Sequence, residues 1–302
     1  MGFVGKIYVV TGAGSGIGKA TVKKLLDQGA TVHALDIMKI PAHENTSGQQ
    51  ISHENVDISS RDSVKAALSE IWRAKNDNPW LDGLVNCAGV LRTTAYNTST
   101  EEDKVFELLW KVNVMGAWHI TTEFHARLQH LRQSDGPRYD KATTSIVNVG
   151  SMASVRGIPG MAAYVASKHA VHGLTKTLAQ DLGPFGYRVN TVAPGAVNTP
   201  MIATELRDGT HETDRAFRGA FKTFSEPEEI ADTILFLLGD GSSSISGQLL
   251  ELQNSYKKLI GIVQGIVMST LAYIRIVYAV ERVVRVYGEF ESLTRVLTKI
   301  DE

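Results

Sequence analysis

The chain has 302 residues, a formal net charge of -1, 43% hydrophobic and 21% charged residues, as expected of an ordinary globule with a sizeable core. That charge balance excludes a basic footprint for nucleic acid, and a single cysteine, Cys87, excludes an internal disulfide and fits a reducing, cytoplasmic setting. A strand-like run starts within five residues of Met1, so no signal peptide is expected, and there is no repeat or low-complexity tract.

Lys6 to Val10 is a short apolar run rich in β-branched residues, which predicts a buried parallel strand. Thr11-Gly12-Ala13-Gly14-Ser15-Gly16-Ile17-Gly18 follows at once, and Lys19 to Gln28 then has helical spacing, with Gly29 as its stop. Strand, glycine-rich turn and helix open a dinucleotide-binding unit. Gly12, Ser15, Gly16, Ile17 and Gly18 would let the backbone approach a pyrophosphate at the helix N-terminus. Taken alone, the stretch also reads as a tight turn with no ligand. Thr31 to Leu35 predicts the second strand, and Asp36, eighteen residues after Gly18, can bind a ribose 2′-hydroxyl. Its carboxylate would repel a 2′-phosphate, and no Arg or Lys stands at Ala13, Gly14, Ser15 or Ile37, which favours NAD over NADP.

Residues 41 to 50 read as a polar surface loop, and Ile51 to Val56 as a third strand ending in Asp57. Asp57 and Ile58 follow it where an adenine would lie, and a helix is expected from Ser60 or Arg61 to about Lys75. Leu84 to Gly89 is a fourth strand running into small residues, with Cys87 read as a small buried hydrophobe of no chemical role. Glu101 to about Leu131 has a long helical pattern with Asn113 midway. Ser145 to Val149 is a fifth strand, and Ser151 stands just beyond its C-terminal end, where open parallel sheets bind ligands. A helix from Tyr164 to about Leu182 and a sixth strand from Arg188 to Val192 lead into Pro194-Gly195. Residues 198 to 226 are polar and breaker-rich, consistent with a mobile lid or an ordinary surface excursion. His33, His119, His125, His169 and His172 have no metal-like grouping, so no metal is expected.

The chemistry concentrates between Ser151 and Lys168. Tyr164 comes thirteen residues after Ser151 and Lys168 four after Tyr164, which puts the last two on one helix face. An ammonium there can lower the phenol's pKa. A phenol so tuned can take a proton from an alcohol or give one to a ketone.

These motifs together resemble the short-chain dehydrogenase/reductase family, in its Tyr-x-x-x-Lys branch of roughly 250 residues. Thr11 to Gly18 is similar to its cofactor turn, and Asn86-Cys87-Ala88-Gly89 to its Asn-Asn-Ala-Gly strand end. Asn113 matches its helix asparagine, and Ser151 with Tyr164 and Lys168 its catalytic motif. Pro194 to Thr199 resembles the segment closing over the nicotinamide, and Pro227-Glu228-Glu229 the usual late helix start. The resemblance implies a single doubly wound Rossmann domain over residues 1 to 254, an α/β fold with a parallel sheet of about seven strands. It implies cofactor contacts at Asn86, Ala88, Gly89, Tyr164, Lys168, Pro194, Gly195, Val197 and Thr199. It further implies Tyr164 as general acid/base, with Lys168 lowering its pKa and holding the ribose. Ser151 would stabilise the substrate oxygen and Asn113 a proton-relay water. Such proteins pair through two long helices, here about 101–131 and 163–182, so a homodimer or homotetramer is expected. A dinucleotide-binding protein that has lost catalysis, serving as a regulator or scaffold, is the alternative.

Met152, Val155, Ile158, Met161, Met201, Ile202, Phe217, Phe221 and Phe224, with residues near Leu91 to Tyr96, are expected to line the substrate pocket. Their apolar bias points to a hydrophobic alcohol or ketone, such as a terpenoid, steroid-like or polyketide compound. The tail departs from the family: Gln253-Asn254-Ser255 replaces Asp-Gly-Gly, and a further stretch to Glu302 follows. Leu259 to Ile274 is apolar but short of the ~20 residues a membrane helix needs. Beyond it, apolar residues recur at helical spacing. Residues 255 to 302 are therefore expected to form a helical extension serving packing, an oligomer interface or a lid, with membrane contact the weaker reading.

Overall fold

The structure is a computed structural model that describes residues 2–73, 80–93, 102–134, 139, 142–207 and 224–252. The expected C-terminal helical extension, Tyr96, Phe217 and Phe221 lie outside the described residues.

Seven strands form one parallel sheet: β1 (Ile7–Thr11), β2 (Thr31–Leu35), β3 (Gln49–His53), β4 (Gly83–Asn86), β5 (Thr144–Val149), β6 (Tyr187–Pro194) and β7 (Leu249–Leu252). Their order is β3-β2-β1-β4-β5-β6-β7. The helices are α1 (Gly16–Asp27), α2 (Arg61–Arg73), α3 (Asp103–Leu109), α4 (Ala117–Ser134), α5 (Ala162–Leu182), α6 (Pro200–Arg207) and α7 (Pro227–Leu238). Alternation along the strands sends neighbouring side chains to opposite faces. Tyr8 and Val10 join Val22, Leu25, Ile230 and Ile234 in the core beneath α1 and α7. Ile7 and Val9 join Leu68, Ile120, Phe124 and Leu178 in the core beneath α2, α4 and α5. With both faces covered, the central strands read as unbroken apolar runs. The direction of progression reverses between β1 and β4, and at such a switch point the strand ends open a crevice.

Three boundaries differ from expectation. The third strand is Gln49–His53, three residues of the expected run being lost after His53, where Asn55 takes a left-handed φ of 59° and turns the chain. The long helix starts at Asp103 and carries a π-helical segment over Trp110–Gly116 before continuing as α4. Such segments insert a residue into the ladder and recur at functional sites; this one centres on Asn113. The polar stretch after residue 198 contains helix α6, and residues 208–223 lie outside the described residues. Among the described residues, no helix is long and apolar enough to cross a membrane.

Candidate active site

A cavity of about 530 Å³ opens at the C-terminal ends of the strands. Its floor at the switch point is the turn after β1, where the sequence leaves no room for side chains. Gly12 has a φ of +67°, and a Cβ there would sit 2.7 Å from the Ala88 nitrogen. A Cβ on Gly18 would fall 2.0 Å from the Gly12 carbonyl oxygen. Gly18 is therefore a packing residue that seats α1 on the turn. It does not line the cavity, whereas Gly12, Ser15, Gly16 and Ile17 do.

At one end, Asp36 lines the cavity from the tip of β2. Its Oδ2 accepts a hydrogen bond from the Gly14 N–H (2.8 Å) and its Oδ1 one from the Met38 N–H (2.9 Å). The carboxylate is thereby fixed against the glycine turn. Asp57 and Ile58 line the same end, with Asp57 Oδ1 accepting from the Ser59 N–H. Along the wall, the Thr11 hydroxyl accepts the Cys87 and Ala88 N–H groups, both at 3.2 Å, bending β4 into Ala88 and Gly89 beside the cavity. Cys87 also lines it, and burial pushes its thiol up to about 12, so it stays protonated.

At the other end stand Ser151, Tyr164 and Lys168, with Pro194, Gly195, Val197 and Thr199 from the segment after β6. Tyr164 and Lys168 belong to the buried face of α5, which continues through Val171, Thr175, Leu178 and Leu182. Burial pushes the Tyr164 phenol up to about 12, and its hydrogen bond with Ser151 offsets part of that rise. Lys168 Nζ donates to the Val149 carbonyl at 2.9 Å and lies 5.7 Å from the centre of the Tyr164 ring. Burial brings the Lys168 amine down to about 8. The expected lowering of the phenol by Lys168 is thus not what this structure holds. Desolvation dominates both groups, and Ser151 is the neighbour that favours the phenolate.

Two expected contacts lie elsewhere. Asn86 does not line the cavity; its Nδ2 is spent on Asn148 Oδ1 (2.7 Å) and Thr121 Oγ1 (3.0 Å) inside the core. Asn113 is likewise set back: its Oδ1 accepts the Val90 N–H (2.8 Å), and its Nδ2 donates to the Val90 carbonyl and to Ser167 Oγ, both at 3.0 Å. It ties the chain after β4 to the turn of α5 between Tyr164 and Lys168.

The expected substrate pocket is also redrawn. Leu91, Met201 and Ile202 line the cavity. Met152, Ile158 and Met161 are instead buried in a small core with Leu109 and Tyr164. Val155 is exposed, and Phe224 does not line the cavity. Leu108 and Val112, which do line it, were missed. Their spacing of four, on the helix that carries Asn113, is the signal that could have found them.

The family model described as short chain dehydrogenase matches residues 6–209. The chain belongs to the short-chain dehydrogenase family. Among curated short-chain dehydrogenase relatives, the Thermotoga maritima 3-oxoacyl-(acyl-carrier-protein) reductase FabG is 35% identical over 82% of this chain and 95% of its own. A 2,5-dichloro-2,5-cyclohexadiene-1,4-diol dehydrogenase of Sphingobium indicum is 34% identical over 82% of this chain and 94% of its own. Among solved structures, a short-chain dehydrogenase from Mycobacterium paratuberculosis bound to NAD superposes with a TM-score of 0.70 at 26% identity, covering 84% of this chain and 98% of that one. The Brucella melitensis 3-ketoacyl-(acyl-carrier-protein) reductase complexed with NADH gives 0.70 at 27% identity, over 83% and 98%. The protein is therefore an oxidoreductase of the short-chain dehydrogenase fold, which binds a nicotinamide dinucleotide. The residues present fit such a group: the Gly12 and Gly18 packing leaves bare backbone at the N-terminus of α1, where a pyrophosphate is held.

Proposed function

We propose that the protein is an NAD-dependent oxidoreductase interconverting a secondary alcohol and a ketone on a hydrophobic small molecule. One observation carries the reading: Ser151, Tyr164 and Lys168 line a cavity that the apolar residues Val90, Leu91, Leu108, Val112, Met201 and Ile202 also line. NAD, when bound, supplies the hydride acceptor, and the chain's own residues handle the proton and the geometry. The Tyr164 hydroxyl takes the alcohol proton, or gives it to the ketone. Ser151 donates its one hydroxyl proton to the substrate oxygen, stabilising charge where it develops. Lys168 holds the ribose side of the site and supplies positive potential, and Asn113 supports a proton-relay water between it and solvent. Asp36 takes the ribose 2′-hydroxyl and excludes a 2′-phosphate, which is the basis for NAD over NADP. Both curated relatives have names that denote alcohol or ketone chemistry.

A homodimer or homotetramer through α3–α4 and α5 belongs to the same proposal, as does a cytoplasmic setting for a chain with one cysteine. Phe106 and Trp110 stack at 6.3 Å with both rings substantially exposed, and Trp118 lies further along the same run of helix, which suits a covered face. The test is a panel of hydrophobic secondary alcohols and ketones assayed with NAD(H) and NADP(H) in parallel, with Tyr164→Phe and Asp36→Ala as variants. Turnover abolished by Tyr164→Phe, and an NAD preference narrowed by Asp36→Ala, is the expected result. Turnover that survives Tyr164→Phe would remove Tyr164 as the acid/base, and a wild-type chain that binds NAD without turnover would favour the regulator or scaffold reading.

A further inference from the structure

The end of β5 and the residues just beyond it meet α5 at three heights. Ser151 meets Tyr164, the Val149 carbonyl takes Lys168 Nζ at 2.9 Å, and Asn148 Nδ2 donates to Thr175 Oγ1 at 2.8 Å. The three contacts run in opposite senses along strand and helix, so together they fix how far α5 slides along the sheet. The first two rungs are the reactive groups themselves. The third carries no chemistry, is fully buried, and lies two turns beyond Lys168 on the same helix face.

The third rung is also the best specified. Thr175 Oγ1 donates its one proton to the Val171 carbonyl at 3.0 Å, so both its lone pairs accept, from Asn148 Nδ2 and from Thr191 Oγ1 at 2.8 Å. Asn148 in turn accepts from Asn86, which is anchored on Thr121 of α4. Asn86, Asn148 and Thr191 are in register on three adjacent strands. A hydroxyl with its full complement of partners in a dry interior has one low-energy position. Lys168 Nζ has three donors, so it can hold the Val149 carbonyl and a ribose hydroxyl together, while the Asn148–Thr175 contact keeps the helix in register.

We propose that Asn148 and Thr175 are positioning residues of the hydride-transfer site, setting the height of α5 and so the placement of Tyr164 and Lys168 against Ser151. This rests on the oxidoreductase reading above. In the full-length chain, Thr175→Val removes the hydroxyl at nearly constant volume and Thr175→Ser keeps it. Thr191→Val leaves the Asn148–Thr175 contact in place, and Val64→Ala in α2 reports a core defect remote from the site. The expected result is that Thr175→Val lowers kcat by about tenfold to a hundredfold, with a smaller rise in KM for NAD because Lys168 also holds the ribose. Thr175→Ser restores kcat, while Thr191→Val and Val64→Ala lower thermal stability alone. If Thr175→Val does not fold, Thr175→Ala carries the same comparison against Thr175→Ser. Thr175 variants that lose stability but keep wild-type kcat, as Val64→Ala does, overturn the proposal. A second readout needs no turnover: competitive acetylation of Lys168 across pH, followed by peptide mass spectrometry. Loss of the Thr175 hydroxyl should raise the Lys168 midpoint from near 8 toward that of an ordinary lysine as the amine loosens into water. An unchanged midpoint overturns the proposal even where the oxidoreductase reading itself has failed.

Discussion

Gly18→Ala adds one methyl group at a position that does not touch the cavity, yet it should disable cofactor binding. The new Cβ would lie 2.0 Å from the Gly12 carbonyl oxygen and 2.7 Å from its carbon. Carbon–oxygen contacts close at about 3.3 Å, so helix and turn must part by about an ångström or more. Neither side can yield cheaply. Both clashing groups are backbone, and Gly12 is pinned from behind, its own Cβ position lying 2.7 Å from the Ala88 nitrogen. Overpacking of this kind costs about 1–3 kcal/mol, or about 2–12 °C in Tm for a domain of this size. The same displacement pulls the N–H groups of the turn away from the pyrophosphate, so NADH affinity should fall about tenfold or more, which is about 1.4 kcal/mol. Fluorescence titration with NADH and thermal unfolding measure the two effects. Gly157→Ala is the control, because nothing lies within 4 Å of its Cβ position and it is exposed; it should stay within about 0.5 kcal/mol of wild type. A Gly18→Ala protein that binds NADH and melts like the wild type would refute the reasoning.

Two further predictions follow from burial. Lys168→Met should be more stable than wild type at pH 7, by up to about 3 kcal/mol, although inactive, because the folded chain holds the amine at about 8 against 10.5 when unfolded. Between those values the unfolded chain binds more protons, so wild-type stability rises with pH and the Met advantage should shrink from pH 8 to 10, read by urea unfolding. An advantage independent of pH would show that Lys168 is not held at a cost. On the acid side, His33 Nδ1 and His53 Nε2 lie 3.1 Å apart, with Glu70 3.7 Å from His53 Nδ1, and burial brings His33 down to about 4. A neutral pair of this kind contributes stability that is fully present above pH 6.5 and is lost as pH falls toward 4. Wild type should lose about 2 kcal/mol from this source between pH 6.5 and 5. His33→Leu should flatten that part of the urea profile, and an equal loss in both proteins would rule the pair out as its cause.

Much of this molecule was legible because its signals are local. A strand, a glycine turn and a helix in succession specify a phosphate-binding βα unit whatever packs around it, and the Thr11–Gly18 turn formed as expected. Ser151, Tyr164 and Lys168 were legible for the same reason, since a strand end and one face of one helix bring them together. Residues whose roles depend on what lies opposite were misread. Met152, Ile158 and Met161 have the apolar character of a pocket lining, but α3 and α5 close over them and make them core. Asn86 sits in a cofactor motif, yet its amide faces Asn148 and Thr121, partners that are distant in sequence.

The amino-acid sequence by itself determined the fold family and the glycine turn, and it named Ser151, Tyr164 and Lys168 as the trio that the proposed chemistry uses, because each is written in residue types at short, fixed spacings. Only the tertiary structure decided the state of those groups. The Tyr164 phenol is high and the Lys168 amine is low because both are buried, and burial is a property of the assembled layers. The structure alone also disclosed the Asn148–Thr175 contact beneath them, since a hydrogen bond between a strand and a helix 27 residues apart has no local pattern to announce it.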